Sequence, residues 1–286
     1  MKVLMVGATG RFAGLVLPEL TRRDVVVRAL VRDEAGAAEA RGRGAAETTR
    51  GDLREPATLR AAAEGVDGVF HLNPAFAEGE AEMGVGMVRA ASAAGVRRFV
   101  FSSVYHPSLS LTNHAAKQPV EEALYESSME YTVLQPAMFM QLLAGSFSDA
   151  ARHGRISGSY SKRSNMSYVD YRDVAEAAAL ALTRDEPVRG TFELSAPGMW
   201  DRVEVAALLS RVLGREVSAE QSPPGDAGVA RAAPGPLRDG LARMTEHYDA
   251  HGFSGGNALV LRAVLGREPR TLEAYFRELA GDRIAV

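Results

Sequence analysis

The first fourteen residues, MKVLMVGATGRFAG, constrain the fold more than any other stretch. Residues 3–6 are an apolar, β-branched run, long enough for a buried strand and too short for a helix. Gly7, Gly10 and Ala13 follow at three-residue spacing, and Leu15, Leu17 and Leu20 then repeat with a helical period. A strand, a glycine turn and a helix in that order make a phosphate cradle. The glycines let the backbone turn tightly, and the helix N-terminus offers N–H groups and the positive end of its dipole. Ala13 stands where only a small residue is needed for helix–strand packing. This turn predicts a dinucleotide site at the start of a Rossmann-type unit.

The rest of the chain repeats the alternation. Residues 25–31 (VVVRALV) read as a doubly covered strand, and residues 34–43 as an alanine-rich helix. A short strand ends near Arg50, a helix begins at Pro56, and residues 68–72 are a fourth strand running into Asn73 and Pro74. Residues 78–94 form a long helix with methionines on its apolar face, residues 96–102 a fifth strand and residues 131–135 a sixth. Such alternation predicts an α/β fold, a doubly wound parallel sheet with helices on both faces. The expected dinucleotide-binding domain covers residues 1–145, with residues 165–185 returning to it. A smaller α/β substrate-binding region takes residues 146–164 and 186–286. Within that region residues 150–165 are polar and glycine-rich, reading as a rim loop, and residues 221–236 read as a loop or boundary. Residues 203–213, 237–248 and 271–279 read as helices, and residues 166–169 and 191–195 as strands.

Composition closes off several functions. With 286 residues, 46% hydrophobic, 24% charged and net charge −3, the chain has no field for nucleic acid or an anionic membrane. Zero cysteines rule out disulfides, thiolate zinc sites and thiol nucleophiles, and no metal site is expected. No stretch reads as a membrane span, and the apolar start is broken at Gly7, too early for a signal peptide; a cytoplasmic protein is expected. Of 33 basic residues only Lys2, Lys117 and Lys162 are lysine, which draws attention to Lys117.

Cofactor identity turns on the end of the second strand, where Arg32 precedes Asp33. An acidic residue there suits a free ribose 2′-OH and an arginine suits a 2′-phosphate, so Arg32 with Arg11 nearby favours NADPH. The other reading has Arg32 solvated and Asp33 on the ribose. Asp52, at the end of the third strand, is expected either to accept from the adenine amino group or to cap the helix at Pro56. His71 reads as a core histidine.

GATGRFAG, Arg32 after LV, Gly51-Asp52-Leu53, the FVFSS strand, Asn113-x-x-x-Lys117 ahead of VEEAL, and TVLQPAMFM resemble the NmrA-like branch of atypical short-chain dehydrogenase/reductases. Tyr168-Val-Asp-Tyr-Arg-Asp173-Val-Ala, Gly190-Thr-Phe-Glu-Leu-Ser and Gly266-Arg-Glu-Pro-Arg-Thr-Leu-Glu are similar to its later half, so the resemblance covers nearly the whole chain. Reductases of the wider superfamily use Tyr-x-x-x-Lys, in which the lysine holds the nicotinamide ribose and lowers the tyrosine pKa. Here Lys117 fills the lysine place and Asn113 the tyrosine place, and an asparagine is no general acid. The resemblance therefore implies a cofactor-positioning role for Lys117 and a proton from Tyr105, Ser103, His114, Tyr168, water or an acidic group of the substrate.

Together these readings direct Gly7, Thr9, Gly10, Arg11, Phe12, Arg32, Asp52, Leu53, Asn73, Lys117 and Pro136 toward the dinucleotide. Lys117, Ser103 and Tyr105 are the expected catalytic residues. Met138, Phe139, Met140, Leu142, Phe147 and Met166, with Trp200, Met244, Tyr248 and Phe253, are candidates for an apolar substrate pocket. The resemblance implies an NADPH-dependent ketoreductase or quinone reductase acting on a bulky aromatic, polyketide-like small molecule, as in antibiotic biosynthesis. A non-catalytic NAD(P)-binding redox sensor is the alternative.

Overall fold

The computed structural model describes residues 1–186, 188–222 and 235–284. They form two compact units: Met1–Pro136 with Tyr171–Glu193, and Ala137–Asp170 with Leu194–Val286.

The first unit is built on β1 (Lys2–Val6), β2 (Val26–Val31), β3 (Glu47–Arg50), β4 (Gly68–Leu72), β5 (Arg98–Ser102) and β6 (Glu130–Pro136), all paired in parallel. Their spatial order is β3-β2-β1-β4-β5-β6, and Gly190–Leu194 adds a seventh strand beside β6. The order reverses between β1 and β4, the switch point of a doubly wound sheet. A single 3-10 turn, Ala13–Leu15, leads into α1 (Val16–Thr21). After it come α2 (Glu34–Gly42), α3 (Pro56–Ala63), α4 (Glu80–Ala93), α5 (Thr112–Ala115) and α6 (Gln118–Tyr125).

Strand alternation divides the core. Leu4, Val6, Val69, Phe99, Phe101 and Val133 turn to one face and pack on α3, α4 and α6 through Leu59, Met87, Ala91, Val120 and Leu124. The helix Tyr171–Thr183 packs on β4, β5 and β6 and against α1. Its run of alanines and leucines is almost wholly buried. It is pinned at both ends. Tyr171 donates its hydroxyl to Ser102 Oγ at 3.0 Å. Buried Arg98 donates to the carbonyls of Leu182 at 3.1 Å and Arg184 at 2.7 Å, satisfying C-terminal groups with a cation.

In the second unit Met166–Val169 pairs with Met138–Phe139 in parallel and with Met199–Trp200 antiparallel. Its helices include Ala144–His153, Arg202–Leu213, Gly235–His251, Leu259–Leu265 and Leu272–Ile284. The rim loop expected over residues 150–165 is corrected here. The helix continues to His153, and Arg155–Gly158 is a strand paired in parallel with Ser218–Gln221. The boundary expected over residues 221–236 lies largely outside the described residues; Gln221 closes a strand and Gly235 opens a helix. Of the apolar candidates, Met140, Phe147, Met166, Tyr248 and Phe253 are buried core. Met138, Phe139, Trp200 and Met244 are half-buried, and Leu142 is half exposed. Among the described residues no helix is long and apolar enough to cross a membrane.

Candidate functional site

A cleft of about 760 Å³ opens at the carboxyl ends of β1 to β4, where the strand order reverses. The turn after β1 supplies Gly7, Thr9, Gly10, Arg11 and Phe12; the ends of β2 and β3 supply Arg32, Asp33 and Gly51 to Arg54; the end of β4 supplies Asn73 and Pro74. The turn depends on its glycines. Gly7 has φ +85°, and a Cβ there would sit 3.0 Å from that of Ala13. A Cβ on Gly10 would sit 3.0 Å from the Gly7 carbonyl oxygen, which accepts the Gly10 N–H at 2.8 Å. Phe12 lies against Tyr171, ring centroids 5.7 Å apart, with the Arg11 guanidinium 5.3 Å over the Phe12 ring.

Of the residues expected at the dinucleotide, all but Lys117 and Pro136 line this cleft. Pro136 ends β6, where its carbonyl accepts from the Tyr105 N–H at 2.9 Å. Arg32 and Asp33 have different duties. Asp33 is the N-cap of α2 and accepts the Gly36 N–H at 2.8 Å. Arg32 is exposed, its guanidinium has no partner among the described residues, and its carbonyl is held by Arg50 Nε at 3.1 Å. Asp52 accepts the Arg54 N–H at 2.9 Å, which corrects its reading as a helix cap. The N-cap of α3 is Glu55, with Pro56 first in the helix and no side-chain cap.

Lys117 sits behind the cleft in a buried polar cluster. Its ammonium pairs with Glu80 and donates to the Asn113 carbonyl at 3.1 Å. The other Glu80 oxygen accepts the Phe76 N–H at 2.8 Å, and the Glu80 carbonyl accepts Asn73 Nδ2 at 3.0 Å. Asn73 Oδ1 in turn accepts from His71 Nε2. Gly84 makes room for this arrangement, since a Cβ there would lie 2.9 Å from the Asn73 amide atoms. His71 is fully buried, with Nδ1 unpartnered among the described residues, and burial foremost lowers its pKa to about 4. It is the core histidine expected. Asn113 Oδ1 is also buried without a partner among the described residues.

The remaining proton-donor candidates are held in place by their own neighbours. Ser103 donates its hydroxyl to Glu121 at 2.5 Å, and that carboxylate also accepts from Gln135 Nε2 and from the Tyr125 hydroxyl at 3.1 Å. Burial, followed by the charge and hydrogen bond of Glu193, pushes the Tyr105 phenol up to about 12. His114 bonds through Nδ1 to the His106 carbonyl at 3.0 Å, and burial foremost lowers its pKa to about 4. In the second unit burial raises the Tyr168 pKa well above its ordinary value.

Sequence reasoning missed Arg54 and Ala77 in the cleft wall and Glu80 behind it, while Pro74 lines the cleft as expected. Arg54 and Ala77 follow Leu53 and Pro74, strand ends already marked as crevice. Glu80 carries no such signal, standing between Glu78 and Glu82 at the start of a helix.

The fold and cleft define a dinucleotide-binding Rossmann architecture, and comparison narrows it. The chain belongs to the NmrA-like family, which it matches over residues 1–276. It is 34% identical over 224 residues to an NAD(P)H azoreductase of Xenophilus azovorans, covering 75% of each chain. It is 26% identical over 278 residues to quinone oxidoreductase 2 of Escherichia coli, covering 94% of this chain and 96% of that one. The structure of a Citrobacter sp. triphenylmethane reductase complexed with NADP(H) superposes with a TM-score of 0.85 at 22% identity, covering 98% of this chain and all of that one (100%).

Proposed function

We propose that this chain is an NADPH-dependent reductase of a ketone or quinone carbonyl on a bulky aromatic, polyketide-like small molecule, working without the usual tyrosine. The observation that carries the cofactor is the division of labour at the end of β2. Asp33 is committed to capping α2, while the Arg32 guanidinium stands at the cleft with no partner among the described residues, as suits a 2′-phosphate. The tight glycine turn fits a pyrophosphate. In this reading Gly7, Thr9, Gly10, Arg11 and Phe12 hold the pyrophosphate, Asp52 and Leu53 face the adenine, and Asn73 and Lys117 serve the nicotinamide half. NADPH, when bound, supplies the hydride.

Three kinds of relative support reduction as the shared chemistry: an azoreductase, a quinone oxidoreductase and a dye reductase. The proton is the distinctive part. Near neutral pH His114 is uncharged, Tyr105 is a weaker acid than free tyrosine, and the Ser103 hydroxyl directs its hydrogen bond to Glu121. None is a ready acid. A substrate with an acidic phenol beside its carbonyl brings its own proton, which suits a place in antibiotic biosynthesis.

The test is NADPH oxidation with a panel of quinones and aromatic polyketide ketones, products identified by mass. An alcohol product supports the ketoreductase and a hydroquinone the quinone reductase. Tight NADPH binding without consumption across the panel overturns both and leaves the redox sensor.

A further inference from the structure

Glu80 is buried to 4% exposure, although Glu78 and Glu82 on either side of it are exposed. Burying a carboxylate and an ammonium together adds little net stability, because desolvation offsets their attraction. Such a pair is better explained by what it holds in place. One Glu80 oxygen takes the Lys117 ammonium and the other takes the N–H of Phe76. Phe76 has φ +62°, a left-handed conformation that a bulky side chain adopts only when it is held. The Glu80 carbonyl grips the Asn73 amide. Asn73, Pro74 and Ala77 form the cleft wall at the end of β4, so Glu80 secures that wall from behind. An ammonium has three N–H groups. Glu80 and the Asn113 carbonyl occupy two of those on Lys117, leaving one uncommitted among the described residues.

We propose that Glu80 is a positioning residue of the dinucleotide site, fixing Lys117 and the wall formed by Asn73, Pro74 and Ala77 for the nicotinamide half of the cofactor. This rests on reading the cleft as a dinucleotide site. The sheet order makes the claim separable. The end of β4 lies on one side of β1, and the ends of β2 and β3, with Arg32 and Asp52, lie on the other. Glu80 therefore serves one half of the ligand and leaves the other half alone.

The experiment titrates the full chain with NADPH and with adenosine 2′,5′-bisphosphate, which carries only the adenosine half, by calorimetry. In Glu80→Gln the Kd for NADPH rises on the order of tenfold, from loss of a charge-assisted arrangement, while the bisphosphate Kd stays within about twofold. Parallel weakening of both ligands, with a lowered unfolding midpoint, makes Glu80 merely structural and overturns the proposal, as does no change in either. If Glu80→Gln does not fold, Glu80→Asp keeps the buried charge and Lys117 while shortening the reach to Lys117 and Phe76, and the same comparison decides. If the parent chain binds neither ligand, the dinucleotide reading itself falls and the proposal falls with it.

Discussion

Replacing Arg32 with glutamate separates the two ways of reading the end of β2. The guanidinium is exposed and has no partner among the described residues, so the change breaks no contact within the fold. The unfolding free energy should therefore move by no more than about 0.5 kcal/mol. A charge-assisted hydrogen bond to a 2′-phosphate contributes about 1.5–3 kcal/mol. Water and salt screen an exposed arginine, which favours the lower half of that range, roughly 10- to 40-fold in Kd. NADH lacks the phosphate and should bind Arg32→Glu within about threefold of the parent. Fluorescence titration with both nucleotides at two salt concentrations measures this directly, and the difference between them should shrink as salt rises. Equal loss for NADPH and NADH refutes the assignment, because it means that Arg32 acts on something the two share.

Three further outcomes follow from the packing and the buried charges. Gly84→Ala puts a methyl 2.4 Å from Val120 Cγ2, so thermal unfolding should show a loss of about 1–3 kcal/mol from overpacking; an unchanged midpoint would mean that α4 shifts freely. His71 has its pKa depressed from 6.5 to about 4, so its neutral form favours the folded state. Its contribution is complete above pH 6.5 and is lost as pH falls through that value toward 4, up to about 3 kcal/mol. His114 is shifted alike and His247 in the same direction, so His71→Gln should remove part of the acid sensitivity seen in unfolding midpoints between pH 7 and pH 4.5, and an identical profile would exclude His71. Glu121→Gln sets an amide N–H₂ against the donors of Ser103, Gln135 and Tyr125 and should cost about 1–3 kcal/mol in urea unfolding; a neutral outcome would mean that the cluster re-pairs.

Much of the first unit is legible in the chain because its strands are short apolar runs between turn residues and its helices carry one buried face. Val26–Val31 and Gly68–Leu72 need no distant partner to be recognised. Arg155–Gly158 does. Only Ile156 among its residues is fully buried, and its pairing comes from Ser218–Gln221, far along the chain, so nothing local marks it. The cleft was legible to the extent that it follows the glycine turn and strand ends. Glu80 was not, since burial of one carboxylate among three depends on where Lys117 and Phe76 meet it. The Asp52 side chain turned to the nearer Arg54 N–H, leaving α3 to begin with a proline, whose missing N–H needs no cap.

The helix Tyr171–Thr183 has a consequence for how the chain is made. It covers β4, β5 and β6, yet it leaves the ribosome only after residues 137–170 have been synthesised. Until then Phe70, Val100 and Leu134, which alternate to that face of β4, β5 and β6, lack their cover, and Arg98 lacks the carbonyls of Leu182 and Arg184. A nascent chain ending at Pro136 thus holds every strand of the cleft and still exposes a greasy surface. The helix that completes this face of the sheet contributes no residue to the cleft lining, so the sheet behind the cleft is closed by a segment that never touches the cleft.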